Sequence, residues 1–304
     1  MKPQIRPVLT IVEGPILNSV PTAKANQGSF KRKGLAGKIL FYGFIVFFIL
    51  NLVGLVGTVV VDSFSQGWFG TWLPKAFTTR WYDYITTDHD MGLLLFNTLF
   101  VAIVTTLIAL LVGFPAAYVL ARKQFRFKAA LTGLYLLPML IPPLAYGIPL
   151  ATLLIRIGLG GTLVGVIIIN LVPIIPFVIL ILAPFIEQVD TSLESASRML
   201  GATRLQTFRR VVLPLVLPGL LSAGMLAVVR TIAMFELTFL VADAHSQTLV
   251  VALYADAFAA GIRPNQAISA MAVLYMLTTI LLLGLTLTVV KPTQFVVRVK
   301  TNRQ

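Results

Sequence analysis

The sequence predicts an all-α membrane protein with six transmembrane helices and both termini in the cytoplasm. Three observations carry that reading. The 304 residues are 58% hydrophobic and only 12% charged, with mean hydropathy +0.92, whereas soluble domains are about 25% charged. Six apolar runs reach the ~20 residues that a helix needs to cross a hydrocarbon layer ~30 Å thick. Nineteen of the 24 Lys and Arg fall on one side of those runs, the asymmetry that marks cytoplasmic loops.

Residues 1–37 mix Pro, Gly, Asn and Lys without periodicity and are expected to form a flexible basic tail. Segment 38–62 holds the first span, Ile39–Val61, uncharged between Lys38 and Asp62. The external loop 63–91 contains Trp68, Trp72, Trp81, Tyr82 and Tyr84, expected as an aromatic belt at the outer interface. A docking surface for an external partner is the second reading of that loop. Within 92–290 the remaining spans are Leu93–Ala121, Ala129–Ile155, Thr162–Ile186, Val211–Ala242 and Ala267–Val290. The run Leu249–Ala260 is too short to cross and reads as re-entrant or interfacial. Segment 291–304 is a second cytoplasmic tail. Continuous apolar runs, without alternation, exclude a β-barrel.

The basic residues gather before the first span, at Arg122, Lys123, Arg126 and Lys128, at Arg198, Arg204, Arg209 and Arg210, and after the last span. Only Lys75, Arg80, Arg156 and Arg263 lie opposite. The net charge of +13 is therefore a topology signal and implies lipid, not nucleic acid, as its partner. The chain has no cysteine, which excludes disulfides, thiol catalysis and Cys-type zinc sites. Asp88-His89-Asp90 are adjacent in a loop and are expected as a solvated turn; no metal site is assigned. His245 stands alone. No Ser/His/Asp set or paired carboxylates can be read, so no catalytic residue is assigned and a transport component is expected, not an enzyme.

The loop 187–213 between the fourth and fifth spans carries the most information. Thr191 or Ser192 is an expected N-cap, with Glu194 near the first turn. Gly201 is expected to end the short helix in a left-handed C-cap. Thr203–Val212 resumes a helix, and Leu213-Pro214 marks the return to the membrane. A capped helix of this kind suits a groove on another protein.

That segment resembles the cytoplasmic loop of permease subunits of binding-protein-dependent type I ABC importers. The family pattern is Glu-Ala-Ala, three residues, Gly, nine residues, Ile, one residue, Leu-Pro. From Gly201, nine residues lead to Val211 in the Ile position, and Leu213-Pro214 follow in register. Ser195-Ala196-Ser197 occupies the Glu-Ala-Ala slot, with the acid one position early at Glu194; one residue turns a helical side chain by about 100°. Asn97-Thr98-Leu99 and Pro115–Arg122 are similar to the start of the same domain, so the resemblance covers about residues 93–290. Maltose-type permeases carry Asp before the loop Gly. Leu200 stands here, which is more similar to the polyamine, opine, ferric-iron and phosphonate branch.

The resemblance implies the type I permease fold in a bacterial inner membrane. It implies a coupling site of Glu194, Ser195, Ala196, Ser197, Gly201, Ala202, Leu213 and Pro214, seated on an ATPase dimer. It further implies a second permease subunit and an external substrate-binding protein. The chain has no Gly-x-x-x-x-Gly-Lys-Ser/Thr loop, so ATP and Mg belong to the partner ATPase, and no cofactor is expected on this chain.

Arg230 and Glu236 fall inside the fifth run, where a central charge costs about 2.5–3.5 kcal/mol and needs a partner or a wet cavity. Together with Met234, Phe235 and Asn170 they are the candidate substrate path; pairing with other helices is the equal alternative, and for Asn170 an interhelical hydrogen bond is the first reading. Glu236 suits a cationic solute and Arg230 an anionic one. Prolines at 138, 142, 143 and 149, and at 173, 176 and 184, predict kinks. A stand-alone secondary transporter or channel using Glu236 as its ion site is the competing class, and a structural membrane protein the third.

Overall fold

The structure is a computed structural model that describes residues 27–258 and 263–289. Residues 1–26 of the tail expected over 1–37, the tail over 291–304, and the ends of the runs at 259–260 and Val290 lie outside the described residues; residues 27–37, expected in that tail, are helical and begin α1. The chain divides into two compact units, Met1–Leu55 and Val56–Gln304. The first contributes most of α1 (Gln27–Ser63). Its apolar side chains include Phe41, Phe47 and Leu50.

The second unit follows the order predicted for it, with two corrections. Its elements are α2 (Arg80–Asp88), α3 (Met91–Arg122), α4 (Lys128–Leu140), α5 (Pro143–Arg156), α6 (Leu163–Glu187), α7 (Thr191–Met199), α8 (Arg204–Thr207), a π-helical turn (Phe208–Val212), α9 (Leu213–Ile232), α10 (Glu236–Val241), α11 (Leu249–Phe258) and α12 (Asn265–Val289). Among the described residues of the whole chain, five helices are long and apolar enough to cross a membrane, or six if α4 and α5 count as one bent span.

That bent pair is the first correction. The run Ala129–Ile155 is not one helix: α4 and α5 meet at 94°. Pro142 and Pro143 lack backbone N–H groups, and a residue before proline is driven out of the α region. Ile141 (ψ 138°) and Pro142 (ψ 133°) are accordingly extended. The second is the run Val211–Ala242, which stops at Ile232 and restarts at Glu236, so Arg230 and Glu236 do not share a helix.

Helices α3, α6 and α9 pack together around Val101, Ala109, Ala117, Val178, Leu182, Val216 and Ala227. Small residues let the backbones close. A Cβ on Gly219 would lie 2.5 Å from the Phe185 ring, and one on Gly113 2.8 Å from Val178, the way lipid-embedded helices gain contact. The sequence's aromatic belt is corrected at Trp81. It is 8% exposed, donates its indole N–H to Ser65 O at 2.7 Å, and joins a second apolar cluster with Ile85, Leu94, Leu249 and Met271. Trp72 and Phe69 are almost fully exposed.

Candidate functional site

The loop 187–214 is built from local capping outward. Asp190, not Thr191 or Ser192, caps α7, its carboxylate accepting from the Ser192 backbone N–H at 2.8 Å. That amide, and then the Ser192 hydroxyl, hold Asp190 below the usual carboxylate range. At the other end Gly201 takes φ +85°. Its N–H bonds to Arg198 O at 3.0 Å and the Ala202 N–H to Ser197 O at 3.1 Å, the paired bonds of a Schellman cap. The next helix starts at once. Thr203 caps α8 in a capping box with Gln206, and Ser197 Oγ meets Thr207 Oγ1 at 2.7 Å. Pro214 follows directly on the π-helical turn, at the second position of α9.

This turn-to-turn bonding sorts the residues singled out in the sequence. Ser195, Ala196, Gly201 and Pro214 are exposed, and Ser197, Ala202 and Leu213 half-buried. Met199 and Leu200 project almost fully into open space, at 88% and 89% exposure. Glu194 points the other way. It is 3% exposed, ion-paired to Arg122 Nε at 2.9 Å, and accepts from the Tyr118 hydroxyl at 2.6 Å. Arg122 also donates to Val189 O at 2.6 Å. A one-residue offset of about 100° is enough to turn the acid from the outer face of α7 to the inner one. Tyr118 and Arg122, both on α3, were not singled out for this role; the sequence shows them only within the Pro115–Arg122 resemblance and Arg122 as a topology charge.

The junction between α9 and α10 is different. Arg230, near the end of α9, places its guanidinium 4.7 Å from the centre of the Phe177 ring. Its Nε is buried without a hydrogen-bond partner, as is the Tyr146 hydroxyl, whose electrostatic neighbours are Arg230 and Glu236. Neither Arg230 nor Glu236 has an ion-pair partner among the described residues. Phe235 stacks on Tyr254 of α11 at 4.0 Å, and Tyr254 on Phe258 at 4.1 Å. Met234 is buried. Asn170 is fully buried, donating to Val166 O and to Thr238 Oγ1, each at 2.9 Å. It ties α6 to α10 and is not grouped with Arg230.

At the far end, the expected solvated turn is corrected. His89 Nε2 lies 2.8 Å from Asp256 Oδ2, Arg263 pairs with both Asp88 and Asp256, and Asp90 caps α3. Asn97 donates to His245 O and Gln247 O, and Thr98 Oγ1 accepts from Leu249 N. These bonds pin α11 in place.

Residues 109–295 match the family of binding-protein-dependent transport system inner membrane components, and the chain belongs to that family. The sulfoquinovosyl glycerol transport system permease protein SmoH of Agrobacterium fabrum is 32% identical over 53% of this chain and 56% of its own length. The trehalose transport system permease protein SugB of Mycobacterium tuberculosis is 34% identical over 52% of this chain and 57% of its own. The chain thus spans little more than half the length of these two relatives. The spermidine/putrescine permease PotC of Escherichia coli is 25% identical over 64% of this chain and 73% of its own. Among solved structures, a bacterial ABC transporter that imports alginate superposes with a TM-score of 0.68 at 20% identity, over 86% of this chain and 97% of that one. The MetNI methionine transporter superposes at 0.54 and 21% identity, over 66% and 95%. The fold is that of an ABC importer permease.

Proposed function

We propose that this chain is the membrane-spanning subunit of an ATP-driven importer, coupled to a separate ATPase dimer through residues 190–214. The observation that carries the reading is the two-faced α7. Its outer end offers Met199 and Leu200, apolar side chains that call for a cover. Its inner face is locked to α3 by the buried Glu194–Arg122 pair, so that a push on α7 is passed to a span. The loop side faces the cytoplasm, as the Lys and Arg distribution requires. A second permease subunit and an external binding protein complete the assembly; the likeness to an alginate transporter solved with its periplasmic protein supports the binding protein.

For the solute we retain a small charged molecule of the polyamine or opine kind. An opine carries carboxylates and a charged amine, and Arg230 and Glu236 offer one charge of each sign. The test is affinity isolation of the whole complex in mild detergent, comparing wild type with Met199→Asp/Leu200→Asp. Recovery of an ATPase with wild type and its loss with the folded variant support the proposal. If no ATPase is isolated with wild type and uptake collapses on adding a proton uncoupler, the chain is a secondary transporter using Glu236.

A further inference from the structure

We infer that the chain carries a binding site for an anionic phospholipid where α3, the π-helical turn and α9 meet. The inference rests on α3 and α9 being membrane spans; its basic mouth lies within residues 190–214, and the test uses the chain without an ATPase, so that its failure and that of the coupling reading are distinguishable. An apolar groove of about 620 Å³ is walled by Leu107, Leu111 and Phe114 of α3 and Leu220 of α9. Phe208 closes it against Phe114, ring centres 4.9 Å apart. From Leu107 to Pro115 the groove follows α3 for about 12 Å at 1.5 Å per residue, the direction of an acyl chain along a span.

The mouth of this groove is basic. Leu205 and Arg209 line both the groove and a neighbouring cleft that adds Thr203, Gln206 and Arg210. Both arginines are exposed, and neither has an acidic partner among the described residues. The π turn sets their direction: the Leu213 N–H reaches back to Phe208 O, which inserts one residue into the helical repeat. It brings Arg209 over the groove while Arg210 lines the cleft beside it. Two unpaired guanidiniums at the interfacial end of an apolar trough match a phosphate headgroup followed by its chains. A protein knob from the aqueous side would meet the arginines but would leave the part of the groove along Leu107 and Leu111 unfilled.

The test is native mass spectrometry of the purified full chain, titrated with palmitoyl-oleoyl phosphatidylglycerol or phosphatidylcholine. The expected result is one retained phosphatidylglycerol, bound roughly tenfold to thirtyfold more tightly than phosphatidylcholine. Arg209→Gln/Arg210→Gln removes that preference, and Arg209→Lys/Arg210→Lys keeps most of it. Leu111→Trp, which fills the trough, weakens both lipids. Each variant is first matched to wild type in melting temperature. Equal binding of the two lipids, or a preference that survives Arg209→Gln/Arg210→Gln, overturns the inference. So does displacement of phosphatidylglycerol by free glycerol phosphate, which would show an anion site with no use for the chains.

Discussion

Two arginines of this chain meet the membrane in opposite ways. Arg122, at the end of α3, is 12% exposed and ion-paired to Glu194, itself 4% exposed. Arg230, six residues before Glu236, has an aromatic ring against its face and no ion-pair partner among the described residues. A buried pair that loses one member leaves an uncompensated charge, so Arg122 belongs to the framework. An arginine in a span with no carboxylate beside it needs its charge met by a wet cavity or another molecule. The comparison separates an arginine paired within the chain from one that is not.

The largest expected effect comes from breaking the framework arginine's partner. Glu194→Ala should cost about 3–5 kcal/mol, read as a fall in melting temperature of the purified chain. Glu194→Asp, keeping the charge, should lose less. Next is the middle. Arg230→Gln should weaken solute uptake about tenfold or more while melting stays close to wild type; a large melting loss would make Arg230 another framework group. Gly201→Ala probes the cap. A Cβ there meets nothing within 4 Å, so only the left-handed backbone resists, at about 1–2 kcal/mol, read as a weaker ATPase complex. The smallest effect is at Asp190. Its carboxyl is held below its ordinary value by the Ser192 amide, so the cap contributes near neutrality and is lost as pH falls through that lowered value. Asp190→Asn should flatten this acid limb in a melting series.

Much of the loop was legible because its determinants are local. Gly201, Thr203 and Pro214 act within one turn of themselves, and their spacing states their roles. Glu194 shows where local reading ends. The offset from the family slot was visible, but the residues that receive the rotated carboxylate, Tyr118 and Arg122, lie over 70 positions away in sequence. The third span was legible as kinked from Pro142-Pro143, although the 94° angle depends on how α5 packs against α6 and α10. The break at 233–235 carries no Pro or Gly, so nothing local announces it. Trp81 likewise reads as an interface aromatic until Ser65 O is found at its indole N–H.

The central claim is that the outer end of α7 is covered by an ATPase. The chain has no cysteine, so a single Leu200→Cys can be cross-linked in the assembled complex without background. The account predicts an adduct to the ATPase subunit from Leu200→Cys and none from Phe69→Cys, which is also exposed but belongs to the opposite end of the spans. No adduct at Leu200→Cys, or equal adducts from both, would contradict it.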